Sequence, residues 1–300
     1  MLEKQFISKV EKSKSKAKLF AIVIASILLA GTILQTTMAL FPGQLIIEAF
    51  ADTGTSGDDD ISTGDGNDAN SGLGGDDNID SDGGNDLNVG DNLVGDDDGG
   101  DDSIDSGDGN DMNIGDNLNG DGDGGDDTID SGDGNDVNNG DNQFGDGNGG
   151  NDNIDSGDGD DSNIGDNIAG DGNGGDDVID SGDGNDVNTG DNGFGSGDGG
   201  DDIIDSGDGN DRNIGDNFVN SGDGGDDVIK SGKGNDVNYG DNFLGSGNGG
   251  EDKINAGQGD DELTGGSGAD KFQCGSGDDT VTDFNEAEGD KATGNCENVT

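Results

Sequence analysis

Isoleucine returns every 25 residues along this chain, at Ile79, Ile104, Ile129, Ile154, Ile179, Ile204, Ile229 and Ile254, each inside a variant of the string GGDDxIDSGDGND. A fixed period of this size is the mark of an array whose single unit cannot bury its own apolar face and gains stability only by stacking on its neighbours. The period predicts a solenoid before any individual residue is considered.

Composition restricts the kind of solenoid. The chain holds 71 acidic and 12 basic side chains, 66 Gly, 1 Pro and no His or Trp, and only 25% of it is hydrophobic. From Asp52 onward there are 6 basic and 68 acidic side chains, a formal balance of −62. Such a surface repels nucleic acid and anionic lipid, so neither is expected as a partner. Self-repulsion and chain entropy would hold a segment this polar unfolded without a counterion. The sequence therefore calls for a cation.

Residues 1–51 have a different chemistry. Lys4, Lys9, Lys12, Lys14, Lys16 and Lys18 precede an apolar run from Leu19 to Leu34, and Ala49-Phe50-Ala51 has the small-x-small form of a cleavage site. The segment reads as an export element that leaves Asp52 as the mature N-terminus. The alternative is an uncleaved anchor crossing the bilayer as a hydrophobic helix over residues 19–41. Either way the array is expected outside the cell, secreted or held at its surface. Cys274 and Cys296 suit that address, where they can form a disulfide; the alternative is two free thiols.

The 25-residue unit divides into nine, nine and seven. Gly122 to Asp130 reads GDGGDDTID, Ser131 to Asn139 reads SGDGNDVNN, and Gly140 to Asp146 reads GDNQFGD. The seven-residue insert opens with Gly-Asp-Asn at Gly90, Gly115, Gly140, Gly165, Gly190, Gly215 and Gly240. It is missing between Ile61 and Ile79, which stand 18 apart, and again after Ile254. Alternating Gly permits tight turns that expose carbonyl oxygens, and Asp adds a hard anionic oxygen. Stacking such turns about 4.8 Å apart sets Asp over Asp, and like charges so close need a divalent cation between them. Oxygen-only donors favour calcium over zinc or copper.

Ala256 to Thr282 parses into three consecutive nonapeptides, AGQGDDELT, GGSGADKFQ and CGSGDDTVT, each close to G-G-x-G-x-D-x-U-x with Leu263, Phe272 and Val281 at the large apolar position U. This run resembles the RTX, or hemolysin-type, calcium-binding repeat family, and looser versions reach back to about residue 57. The resemblance implies an all-β fold, a parallel β-roll or β-solenoid holding several Ca²⁺ ions between turns. The ligands it implies in the three nonapeptides are Asp261, Asp270 and Asp279 with the carbonyls of Gly257, Gly259, Gly266, Gly268, Gly275 and Gly277. In the 25-residue units it implies Asp77, Asp102, Asp127, Asp152, Asp177, Asp202, Asp227 and Asp252 from the first nonapeptide, and Asp68, Asp86, Asp111, Asp136, Asp161, Asp186, Asp211 and Asp236 from the second. The alternative is a solvated acidic face with loosely condensed ions. Lys230 and Lys233 stand where other units have Asp, which suggests a site lost at that turn.

One departure from the family pattern is regular. In the second nonapeptide U is Asn, at Asn70, Asn88, Asn113, Asn138, Asn163, Asn188, Asn213 and Asn238. A buried amide is costly unless bonded, but stacked Asn can bond along the column as a ladder. Otherwise neighbours such as Ile114, Ile164, Ile214 and Tyr239 turn inward and Asn outward. A second Asn column, Asn92, Asn117, Asn142, Asn167, Asn192, Asn217 and Asn242, follows from the insert. Its apolar residues, among them Phe144, Phe194, Phe218 and Phe243, are expected to form a short third side rather than a ligand groove.

The expected organisation is a leader over 1–51, a 25-residue-repeat solenoid over 52–255, three RTX nonapeptides over 256–282 and a closing cap over 283–300. With no His, no Ser-based triad and no P-loop, no enzyme is expected. The functional expectation is an extracellular calcium-binding repeat protein that folds or rigidifies on Ca²⁺, with a metal-independent Asn-ladder adhesin as the competing class.

Overall fold

The computed structural model describes residues 52–64, 66–91, 98–117, 119–142, 144–194, 196–218, 222–244 and 247–300. The leader, with its expected hydrophobic helix and cleavage site, lies outside them. Strands of two to six residues alternate between two parallel sheets, of 12 and 11 strands among the described residues, and no helix occurs there. Every coil gives one strand to each sheet. Residues pair with their equivalents 25 positions on, as Ile129 does with Ile154 and Asn138 with Asn163. The register shortens to 18 at both ends, where Ile61 pairs with Ile79 and Leu263 with Val281.

The sequence dictates why each strand sits as it does. In Asn153–Asp155 the burial alternates exposed, buried, exposed, which is the two-residue period of a strand with only its central Ile turned inward. The Ile column from Ile79 to Ile254 is at most 1% exposed and makes one continuous core. The facing sheet turns its Asn inward, not the neighbouring apolar residue. Asn70, Asn88, Asn113, Asn138, Asn163, Asn188, Asn213 and Asn238 are all buried, and from Asn70 to Asn213 each amide donates to the next side-chain carbonyl oxygen at 2.8–3.0 Å, Asn238 being the last acceptor. The second amide hydrogen of Asn88 through Asn238 goes to a buried serine hydroxyl seven residues earlier, as from Asn138 to Ser131 at 2.9 Å. Ile, Asn and Ser columns thus fill a narrow interior in which each Asn amide is bonded.

Residues one step beyond Asn face the other side of that sheet, against the insert. Ile114 and Ile214 are buried there, and the Tyr239 and Phe243 rings meet edge to face at 4.7 Å. The insert aromatics stack onward, Phe243 on Phe218 at 5.1 Å and Phe218 on Phe194 at 5.6 Å. Isolated parallel bridges link Phe144, Ala169 and Phe194, so the insert is a third side without a named strand. The described members of its Asn column do not form an amide ladder. Asn142, Asn167, Asn192 and Asn242 donate instead to glycine carbonyls 20 residues back, at 3.1–3.3 Å.

At the C-terminal end the polar columns turn apolar. Leu263 and Val281 succeed Asn238, and Cys274 aligns with Ala256 at the buried end of the core. Cys274 is joined to Cys296 in a disulfide, and Phe284 and Ala292 pack against the same cluster. Lys291–Thr293 and Asn298–Val299 each add a last strand to one of the sheets, so the closing segment extends the coil it caps.

Candidate metal sites

The Asp rows arise because each strand from Asp60–Ser62 to Lys291–Thr293 is entered from a turn whose last residue is Asp. Asp127 precedes Thr128–Asp130 and Asp136 precedes Val137–Asn139, so the two nonapeptides place their acids on opposite edges of the coil. The first row runs Asp77, Asp102, Asp127, Asp152, Asp177, Asp202, Asp227, Asp252 and Asp270. Each Oδ1 from Asp102 onward accepts the backbone N–H of the preceding Asp in the row, at 2.6–3.0 Å. The second row repeats this from Asp68 through Asp86, Asp111, Asp136, Asp161, Asp186, Asp211, Asp236 and Asp261 to Asp279, at 2.7–3.1 Å. Asp290 and Glu297 of the closing segment accept from Asp270 and Asp279 and extend the two rows.

One oxygen of each acid therefore staples two coils. The other oxygen is buried and has no hydrogen-bond partner in Asp77 through Asp270 of the first row and in Asp86 through Asp279 of the second. Asp68, at the start of the second row, is half-buried. The three RTX nonapeptides alternate between the edges, Asp261 and Asp279 falling in the second row and Asp270 in the first. Gly257, Gly259, Gly266, Gly275 and Gly277 take the positive φ that a non-glycine residue resists, whereas Gly268 is held to glycine by the Gly250 carbonyl that a Cβ would strike.

A third acidic row, which the nonapeptide pattern did not identify, comes from the insert. Asp91, Asp116, Asp141, Asp166, Asp191, Asp216 and Asp241 are buried and accept the N–H of the glycine nine residues on, from Gly100 to Gly250, at 2.8–3.2 Å. They stand beside the first row. Four groups bring carboxylate oxygens within 4.8 Å of one another: Asp77, Asp91 and Asp102; Asp102, Asp116 and Asp127; Asp127, Asp141 and Asp152; Asp152, Asp166 and Asp177. The invariant Asp after Gly in GDN was the available signal.

Lys230 and Lys233 correct an expectation. They lie on the outer surface and pair with Asp205 and Asp208, while Asp227 and Asp236 keep their buried places, so that turn retains both row carboxylates.

Burial sets the electrostatics. Loss of solvent is the largest cause at each shifted row Asp and pushes its carboxyl up, to about 7 for Asp111 and Asp161, about 8 for Asp136 and Asp186 and about 9 for Asp102. Asp127, Asp141, Asp152 and Asp166 are raised well above the ordinary carboxylate range by burial and then by neighbouring carboxylates. A divalent cation resolves both causes. The donors are hard oxygens without imidazole or reactive thiolate, which fits calcium. Oxygens on opposite sides of one Ca²⁺ lie roughly 4.6–5.2 Å apart, so a spread of 4.8 Å is the size of one coordination sphere.

Parallel coils with unpartnered acids in register define a cation-binding β-solenoid. Residues 121–137, 196–212, 213–243 and 246–281 match the family model for the RTX calcium-binding nonapeptide repeat, in four copies. The chain thus carries RTX calcium-binding repeats, and the same 25-residue period and Asp rows continue on the N-terminal side of the matched stretches. No curated protein matches the chain.

Proposed function

We propose that this is an extracellular, non-enzymatic calcium-binding protein whose solenoid folds or stiffens on taking up Ca²⁺ and serves a structural role at a surface. The observation that carries the reading is the buried carboxylate oxygen left without a partner, repeated in register on both edges. A single inward Ile per 25-residue coil, faced by an Asn, leaves little hydrophobic drive, so ion binding becomes folding energy. The ligands in this reading are the two nonapeptide rows with the glycine carbonyls of their turns. The basic, apolar leader favours delivery to a medium rich in calcium, where weak binding at many sites suffices.

The continuous Asn ladder favours a second reading, a metal-independent scaffold whose acids serve solubility. Far-UV circular dichroism during Ca²⁺ titration, chelation and a Mg²⁺ control separates the two. The expected result is a reversible coil-to-β transition driven by Ca²⁺. A β spectrum that persists in chelator at neutral pH would reject calcium-coupled folding and favour the scaffold.

A further inference from the structure

The insert aspartates have no place in the nonapeptide pattern, yet they lie against its first row. We propose that over residues 77–177 they make the insert edge a separate class of divalent-cation site, with one calcium ion at each of four successive coil interfaces, held by two first-row carboxylates and one insert carboxylate. This rests on the calcium-binding reading above and extends it.

Four observations converge. The first is the unpartnered oxygens: Asp102 Oδ2, Asp116 Oδ1, Asp127 Oδ2, Asp141 Oδ1 and Asp152 Oδ2 are buried without a hydrogen bond, on side chains at most 3% exposed. The second is charge. The groups share their first-row members, so each further coil adds one first-row and one insert carboxylate, which one divalent ion neutralises. The opposite edge has a single row carboxylate per coil. The third is the backbone. A Cβ on Gly140 would strike the Asp152 carboxylate and the Gly165 carbonyl, and one on Gly149 would strike the Asp166 and Asp141 carboxylates, so glycine lets the main chain close directly over the acids.

The fourth is a comparison of the coils with one another. Where an Asp only accepts hydrogen bonds at the surface, the array exchanges it freely for Asn, as at Asp126, Asn151 and Asp176, or Asp123, Asn148 and Asn173. The insert Asp also accepts an N–H, for which Asn would serve, yet all seven inserts keep Asp. Charge at that point is being retained, not hydrogen bonding alone. Asp166 shares the single Gly175 N–H between its two oxygens at 3.2 and 3.1 Å, whereas at Asp241, where the inserts end, Oδ2 has a donor of its own in the Ser267 N–H at 2.7 Å.

The test counts bound calcium in the full chain by equilibrium dialysis at pH 7.5. It compares wild type with a triple variant Asp116→Asn, Asp141→Asn, Asp166→Asn and with an equal-charge control Asp126→Asn, Asp176→Asn, Asp201→Asn on the exposed column. Asn keeps an oxygen for the glycine N–H, so the backbone contact survives, and circular dichroism in saturating Ca²⁺ checks the fold. If the triple variant does not fold, Asp141→Asn alone is counted. We expect one ion fewer for each insert substitution and no change in the control. An unchanged count in the insert variant, or equal losses in both triple variants, would overturn the insert site while leaving the RTX reading intact. Wild type that binds no calcium would overturn both.

Discussion

The metal-free and calcium-loaded forms should respond to pH with opposite signs. In the metal-free form the buried row acids have folded-state values near 7 for Asp111 and Asp161 and near 8 for Asp136 and Asp186, against about 3.9 in an unfolded chain. The folded state therefore holds more protons, so stability is full below about pH 3.9 and is lost as pH rises towards 7–8. Each acid that keeps its proton on folding tilts the balance by about 1.4 kcal/mol per pH unit through that window. Three such acids change stability by roughly 12 kcal/mol over about three units, comparable to the whole stability of a typical domain. In chelator the chain should thus be β-structured near pH 4.5 and a coil near pH 7.5. With Ca²⁺ the acids are ionised ligands, protons compete with the ion, and stability should rise with pH over the same interval. Thermal melts followed by circular dichroism from pH 4 to 8, with and without chelator, measure both slopes. Equal slopes of one sign in the two series would refute the argument that the rows exchange protons for calcium.

The interior and the C-terminal end give two further tests. Asn138→Ala removes bonds to Asn163 and Ser131 and one from Asn113, stranding a buried amide hydrogen and a buried carbonyl oxygen; at about 1–3 kcal/mol for each stranded group, calcium-loaded stability should fall by roughly 2–6 kcal/mol in urea denaturation. A loss below about 1 kcal/mol would mean that the ladder adds nothing beyond filling space. Cys274→Ser opens the loop to Cys296, and the loss of about 3 kcal/mol should speed amide exchange in Lys291–Thr293 and Asn298–Val299 while Asn153–Asp155 exchanges as before.

The Ile period makes the solenoid legible from sequence, because one inward side chain per strand at a fixed spacing admits only stacked coils in register. Legibility fails where one residue type can do two jobs. Asn138 next to Asn139 gives no hydropathy contrast, and the inward member is decided by the Ser131 hydroxyl and the facing amides, which are contacts made only after stacking. The insert Asp row was hidden for a related reason. Asp141 and Asp127 are 14 residues apart, in different segments of adjoining turns, and only the return of the chain from the Asn sheet to the Ile sheet brings them together. Lys230 misled because the repeat has several Asp columns, and loss of charge from an outer one resembles loss of a ligand.

Coil stacking also explains why charge is concentrated rather than diluted. Each coil touches only its neighbours, so every interface must supply its own attraction. With one Ile and one Asn rung per interface, that attraction is slight, and the row acids contribute repulsion until a cation lies between them. On the proposed calcium coupling, an interface lacking its ion is a weak joint, and an array of such joints should order progressively as calcium rises. The 18-residue coils at the C-terminal end differ, since Leu263, Phe272, Val281 and the disulfide give that end an apolar core. The last coils are thus the place where order can begin at the lowest calcium level, with the 25-residue coils adding to it from the C-terminal side.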